Sequence, residues 1–336
     1  MSFRVRPATS EDLRAIYEMA KLTGGGFTNL PADRGALADK LARSTAALTT
    51  TTANGSDLFV IALENVATGE IRGTAQMFSK VGHDAPFYSY RLSTLTQHSR
   101  ELGRTFRAEM LSLVTDLEGA SEIGGLFVHP AERAAGLGML LARSRYLFIA
   151  MHHERFGDRI LAELRGVIDG RGSSPFWDGI AGKFFGMTFQ EADTLSATKG
   201  NQFIADLMPK HPIYVAMLPE SARSAIGVPH PSGRAAMRML ELEGFAYEGY
   251  VDIFDGGPTM TARIAAVRSI AEARAAQVVA TDAASGATAL LATGRLAEFR
   301  CCCGHAKVHD GGLAIDAKAA ALLGVGIGDE VWSVPR

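Results

Sequence analysis

The hydrophobic pattern of the chain changes period several times before residue 80. Phe3–Arg6 alternates apolar and charged residues and stops at Pro7, as a short strand would. Thr9-Ser10-Glu11-Asp12 offers an N-cap and an acidic first turn, and Leu13, Ile16, Tyr17 and Ala20 follow at helical spacing. Gly24-Gly25-Gly26 is expected to end that helix. A second helix is expected from Ala32 to about Ala47. Leu58–Leu63 is a strand by composition, Thr68-Gly69 a turn, and Ile71–Phe78 the hairpin partner. Residues 83–120 are less legible, with a polar, partly helical segment around Thr94 to Leu102.

The clearest unit comes next. Ile123–Val128 reads as a strand stopped by His129-Pro130, and Arg133–Gly138 as a loop. Met139–Phe156 reads as a long helix and Arg159–Arg165 as another strand. Strand, glycine loop, helix, strand is a crossover unit, which favours parallel pairing of its strands. Residues 271–294, rich in Ala, Thr, Ser and Gly, look like a linker with weak strands. Cys301 to Arg336 then reads as a small all-β appendage.

Composition narrows the function classes. With 336 residues the chain is expected to hold about two domains, and 47% hydrophobic residues are ample for a core. Lys+Arg 34 against Asp+Glu 36 gives 34 − 36 = −2, which argues against general nucleic-acid binding but leaves room for a local anion pocket. The start of the chain lacks a signal-peptide pattern, and no charge-free apolar run nears the ~18 residues of a membrane helix, so a cytoplasmic protein is expected. The only cysteines, Cys301, Cys302 and Cys303, form no disulfide framework. His305 and His309 follow, but the spacing is wrong for zinc, and no metal is expected.

Chemistry concentrates at Gly136 and Gly138. Backbone amides at a helix N-terminus point outward, the helix dipole is positive there, and glycine lets several amides curl toward one anion. Such a turn binds phosphate, and Arg133 adds charge; a plain tight turn is the competing reading. A phosphate loop of the Gly-x4-Gly-Lys-Ser/Thr type is absent, and the dinucleotide Gly-x-Gly-x-x-Gly lacks its third glycine. Arg133-x-x-Gly136-x-Gly138 after the strand Leu126-Phe127-Val128 resembles the acyl-CoA N-acyltransferase (GNAT) superfamily.

The resemblance extends further. Thr23-Gly-Gly-Gly-Phe-Thr-Asn-Leu-Pro31, Tyr88–Arg91, Gly166–Asp169 with Ser174–Trp177, Met208–Tyr214 and Val251–Pro258 are similar, in order, to the arginine N-succinyltransferase family. It implies an α+β (mixed α/β) GNAT-type fold with a mixed central sheet. Residues 1–190 would be the acyltransferase domain. Residues 191–270 would be an elaboration or a degenerate second copy, and 271–336 a linker and a small all-β subdomain. It implies transfer of succinyl from succinyl-CoA, a co-substrate rather than a bound cofactor, to the α-amine of L-arginine. The alternatives are ornithine or another acyl-CoA, or a low-activity regulatory subunit of a two-subunit enzyme. A homodimer, or a heterodimer with a paralogous subunit, is the expected assembly.

The resemblance also places site residues. Leu126, Val128, Arg133, Ala134, Ala135, Gly136, Leu137 and Gly138 would hold the coenzyme. The tyrosine that many members use as an acid is absent from Ser174–Trp177. Val228-Pro-His-Pro231 instead matches the family segment whose histidine is taken as proton donor, so His230 is the catalytic candidate, with His211 second. Imidazole titrates near neutrality and two flanking prolines stiffen the loop. Gly24, Gly25, Thr28, Glu163 and Asp169 are candidates for the acceptor, with Asp252 and Asp255 as further acids. Arg91, Arg165 and Lys210 suit the succinyl carboxylate, and the sequence leaves the choice among them open. Phe176-Trp177 and Phe184-Phe185 are expected to fill core.

Overall fold

The computed structural model describes residues 2–23, 29–199, 202–283, 285–309 and 311–336. In chain order the first strands are β1 (Phe3–Pro7), β2 (Leu58–Asn65), β3 (Glu70–Phe78), β4 (Ser89–Ser99) and β5 (Arg104–Val114). Then come β6 (Ser121–Val128), β7 (Arg159–Glu163), β8 (Ile213–Tyr214), β9 (Ala246–Val251) and β10 (Pro258–Arg263). The last are β11 (Arg274–Ala280), β12 (Ala287–Thr293), β13 (Arg300–His309), β14 (Gly312–Ile315) and β15 (Glu330–Pro335). The helices α1 (Leu13–Lys21), α2 (Arg34–Thr49) and α3 (Leu137–Met151) accompany the early strands. The fold is mixed α+β.

Two compact units interleave along the chain. The first takes Met1–Lys80, Ser121–Asp158 and Arg263–Arg336; the second takes Val81–Ala120 and Arg159–Ala262. The three consecutive segments that the resemblance implies divide the chain differently. Pairing of distant strands explains the difference. In the first unit Cys301 of β13 lies opposite Val5 of β1, so the tail closes onto the first strand.

The first unit's strand order is β12-β15-β11-β14-β13-β1-β2-β3-β6. β2 shows why its composition is apolar throughout. Leu58, Val60 and Ala62 pack with Ile16, Leu37 and Leu41 of the first two helices, while Phe59 meets Phe148 of α3 at 5.0 Å between ring centres. Asp33 caps α2 by accepting the Ala36 N–H at 2.7 Å, which starts that helix at Arg34. At its other end Arg155, buried, donates to the carbonyls of Ala47 and Thr50 and pairs with Asp57 at 2.8 Å. One guanidinium thereby satisfies orphan carbonyls and its own charge; removing either ion-pair partner costs about 3–5 kcal/mol.

The tail corrects two expectations. The weak strands expected within residues 271–294 are the fully paired strands Arg274–Ala280 and Ala287–Thr293 rather than parts of a linker, and β12-β15-β11-β14-β13 closes on itself through the β12–β13 pairing. The tail is also not all-β, because Ala317–Leu323 is a helix. Its alanine-rich run favours a helix, Asp316 accepts the Ala319 N–H at 2.9 Å, and Gly324 ends it at φ +72°. Cys302 lies in the core of this ring with Leu291, Ile315 and Val331.

In the second unit the order is β7-β10-β9-β4-β5-β8. Thr94–Leu102 is not helical. Ser89–Ser99 and Arg104–Val114 form one long antiparallel hairpin that turns at Gly103, φ +58°. The polar residues through Thr94 and Thr96 suit a strand exposed along much of its length. Residues 191–270 supply β8, β9 and β10, which join β4, β5 and β7. They extend a sheet whose other strands come from residues 89–114 and 159–163. The core holds Phe176 and Trp177, the latter stacked on Phe254 at 5.0 Å; Phe185 is partly buried there, but Phe184 is 53% exposed.

His152 gives the first unit a pH dependence. It is fully buried; its Nδ1–H donates to the Phe148 carbonyl at 2.8 Å and its Nε2 accepts the Leu296 N–H at 3.0 Å. Burial, chiefly, pushes its pKa down to about 4 from 6.5. The unfolded chain therefore binds the proton more readily. The stabilisation is complete above pH 6.5 and is lost as pH falls through 4, a change of at most about 3 kcal/mol. Urea midpoints measured from pH 7 to 4 should fall accordingly, and His152→Gln should flatten that slope.

Candidate active site

The glycine turn is built by local chain geometry in the first unit. After β6, Pro130–Ala135 makes a 3-10 turn whose N-cap is His129, the ring accepting the Ala131 N–H at 3.3 Å. Gly136 then adopts φ +72°, ψ +9°, a left-handed conformation that favours glycine, and α3 starts at Leu137. The Gly136 carbonyl accepts from Met139 and Leu140, so the amides that open the helix face outward. A Cβ placed on Gly138 would meet nothing within 4 Å, which leaves the approach to these amides open. Arg133 folds back on the strand: its Nε–H donates to the Val128 carbonyl at 3.2 Å and its guanidinium lies over Phe127. Ala134 and Ala135 contribute the backbone that closes the turn.

Two features here escaped the sequence reading. Arg336 places its guanidinium beside Gly136, 2.6 Å from where a Cβ would stand. β6 also carries a bulge. Thr74 pairs with Phe127 but Gln76 with Gly124, which leaves Gly125 and Leu126 without partners on β3. Gly125 sits at φ +56°, with the Gln76 amide filling the space a Cβ would need. The adjacent Gly-Gly of the strand was the available signal.

A buried polar network backs the bulge. The Lys40 ammonium donates to the Asn29 carbonyl at 2.8 Å and to Gln76 Oε1 at 3.3 Å. Gln76 Nε2–H donates to the same carbonyl, and the Asn29 amide to Glu122 Oε1 at 2.8 Å. Burial pushes the Lys40 pKa down to about 8, against the pull of Glu122. Gly24, Gly25 and Thr28 lie outside the described residues.

In the second unit His230 follows the short bridge between Gly166 and Pro229, and its N–H donates to the Arg165 carbonyl at 2.7 Å. Its Nδ1 accepts the Ser232 N–H at 3.2 Å and lies 2.7 Å from Ser232 Oγ. That network assigns the proton of the neutral ring to Nε2. Desolvation and the Arg165 charge push the ring pKa below 6.5. His129 caps its turn in the same way, so capping by itself marks no catalytic role.

Asp255 holds this frame. It is buried, and its two carboxyl oxygens accept the N–H of Gly166 at 2.7 Å and of Gly257 at 2.8 Å. A Cβ on Gly257 would run into the Leu164 carbonyl, and one on Gly166 into the Asp255 carbonyl. Burial and the neighbouring Asp252 push the Asp255 pKa up to about 8. Asp252 is a turn builder too, accepting the N–H groups of Phe254 and Asp255.

The other candidates separate. Asp169 is exposed, and its Oδ1 accepts the Arg171 and Ser173 N–H groups; these bonds hold its pKa below the usual range. Glu163 ends β7, and His211 and Lys210 are exposed. Arg91 pairs with Asp116 at 3.0 Å over the Tyr250 ring. Cys301 and Cys302 are buried, and burial pushes the Cys302 thiol up to about 12 and Cys301 well above its usual value. Among the described residues no three His, Cys, Asp or Glu side chains gather as a metal site would.

Known proteins share this architecture. The family model described as arginine N-succinyltransferase beta subunit matches residues 3–269, and that of its C-terminal domain matches residues 272–335. Arginine N-succinyltransferase of Salmonella schwarzengrund is 39% identical over 329 residues, 97% of this chain and 96% of that protein. The same figures hold for that of Salmonella agona. The structure of arginine/ornithine succinyltransferase subunit AI from Pseudomonas aeruginosa superposes with a TM-score of 0.91 at 35% identity, covering 99% of this chain and 98% of that one. Similarity of this extent, across both matched segments, means that the chain belongs to the arginine N-succinyltransferase family.

Proposed function

We propose that the chain transfers a succinyl group from succinyl-CoA to the α-amine of L-arginine, on a GNAT-type fold. The observation that carries this is the left-handed Gly136 turn opening α3 in a chain of this family. Outward amides of Leu137 and Gly138 suit the coenzyme pyrophosphate, with Arg336 as a nearby cation. The unpaired bulge residues Gly125 and Leu126 offer backbone groups to an extended pantetheine arm.

The chemistry is a direct transfer. The neutral amine attacks the thioester carbonyl, the C–N bond forms, the C–S bond breaks, and the coenzyme leaves as a thiol after gaining a proton. The attacking nitrogen sheds one proton as the sulfur gains one: His230, in its protonated form, donates Nε2–H to the leaving sulfur and recovers the proton that the nitrogen sheds, with Ser232 Oγ 2.7 Å from Nδ1. The high thiol pKa values of Cys301 and Cys302 support a route without an acyl-cysteine. The working assembly is a dimer, of identical or paralogous subunits, in the cytoplasm. The subunit wording in the names of the relatives supports that assembly.

Purified chain mixed with succinyl-CoA and arginine should release free thiol, and failure to do so without a second subunit would reject the single-chain reading. His230→Ala should lower kcat by about 10²–10⁴ at unchanged thermal stability, and an unchanged rate would remove it from the mechanism. Gly136→Val puts a β-branched residue at positive φ, a strain of about 1–3 kcal/mol. It should raise KM for succinyl-CoA at least tenfold while leaving KM for arginine near its original value.

A further inference from the structure

Arg165 stands out among the cations of the second unit. Its backbone carbonyl receives the His230 N–H at 2.7 Å, so the side chain leaves the chain one hydrogen bond away from the candidate catalytic loop. Gly166, the next residue, is clamped by Asp255, and the bridge between Gly166 and Pro229 fixes the two segments against each other. Arg165 is therefore held at its backbone on both sides. In its side chain the Nε–H is buried with no acceptor among the described residues.

A buried arginine N–H without an acceptor is costly, because the group has lost water and gained nothing. The acids in its field are Asp255 and Asp193. Asp255 already spends both oxygens on the Gly166 and Gly257 amides. Burial favours its neutral form, so it offsets little of the guanidinium charge at neutral pH. The charge of Arg165 reaches the His230 ring and lowers its pKa, which places the guanidinium within electrostatic range of that imidazole. Of the other cations suited to a carboxylate, Arg91 is engaged by Asp116 and Tyr250, and Lys210 is exposed on another segment.

Resting on the function proposed above, we propose that Arg165 binds a substrate carboxylate and so sets specificity for a carboxylate-bearing partner. The planar fork of a guanidinium takes a carboxylate through two parallel N–H donors, and Nε–H is one of the two available pairs of donors' members. The reaction offers two such carboxylates, the distal one of the succinyl group and the α-carboxylate of arginine. The chemistry is shared, and the substrates tell them apart.

The test compares the full-length protein with Arg165→Gln and Arg165→Lys, each first checked for an unchanged thermal midpoint. Thiol release is measured with succinyl-CoA against butyryl-CoA, and with L-arginine against agmatine, which lacks the carboxylate. Arg165→Gln should lose roughly 10²-fold in kcat/KM for one carboxylate-bearing substrate and little for its carboxylate-free analogue. The pair whose discrimination collapses identifies the carboxylate. Arg165→Lys, which keeps the charge but not the fork, should fall between. Calorimetric binding of succinyl-CoA against CoA, and of L-arginine against agmatine, gives a readout independent of turnover. If the wild type binds these ligands but releases no thiol, the functional reading fails while binding still decides the role of Arg165. Discrimination retained by Arg165→Gln in both pairs, in rate and in binding, overturns the proposal.

Discussion

Two backbone amides, those of Gly166 and Gly257, converge on the buried carboxyl of Asp255, and the placement of the His230 loop hangs on that contact. The two segments it joins approach so closely that neither glycine tolerates a side chain. One segment carries Arg165, whose carbonyl fixes His230; the other runs into β10 and the sheet. Burying a carboxyl is expensive, and here the two donated hydrogen bonds offset the loss of water. The expense shows in the raised pKa of Asp255. In return the loop that bears His230 is anchored through backbone bonds and does not depend on flexible side chains.

The first unit solves a different problem with a similar device. The chain there exposes backbone groups at two places without burying them unpaired. Gly136 turns left-handed at the head of α3 and leaves the first helical amides facing outward, and the β6 bulge leaves Gly125 and Leu126 without partners on β3. Both need glycine, for positive φ in each case. Behind the bulge, Lys40, Asn29, Gln76 and Glu122 share a chain of hydrogen bonds that keeps the strand in its displaced register. Such a network is stabilising only when each member is satisfied, which ties the bulge to the packing of α2.

The tail shows how a closed sheet removes the hazard of free edges. β12-β15-β11-β14-β13 closes through β12–β13, and β13 also meets β1. The three adjacent cysteines then read simply. Cys302 faces the ring interior and Cys301 the opposite side, as neighbours on a strand must. Burial leaves their thiols protonated and unreactive.

The early helices and strands, the glycine turn and the family are legible in the residues alone. Each of these is local or written in long ordered strings, such as Arg133-x-x-Gly136-x-Gly138 with its flanking strand. The sequence also marked Phe176-Trp177 as core and His230 as worth attention. Tertiary structure alone decided the rest. The hairpin over Ser89–Val114 was hidden because most of its residues face solvent and show no apolar period. The helix Ala317–Leu323 was masked by the short strands around it. The interleaving of the two units, the pairing of β13 with β1, and the place of Arg165 beside His230 all depend on contacts between residues far apart in the chain. Periodicity reports how a residue relates to its near neighbours, and it carries no information on which distant carbonyl will receive its N–H.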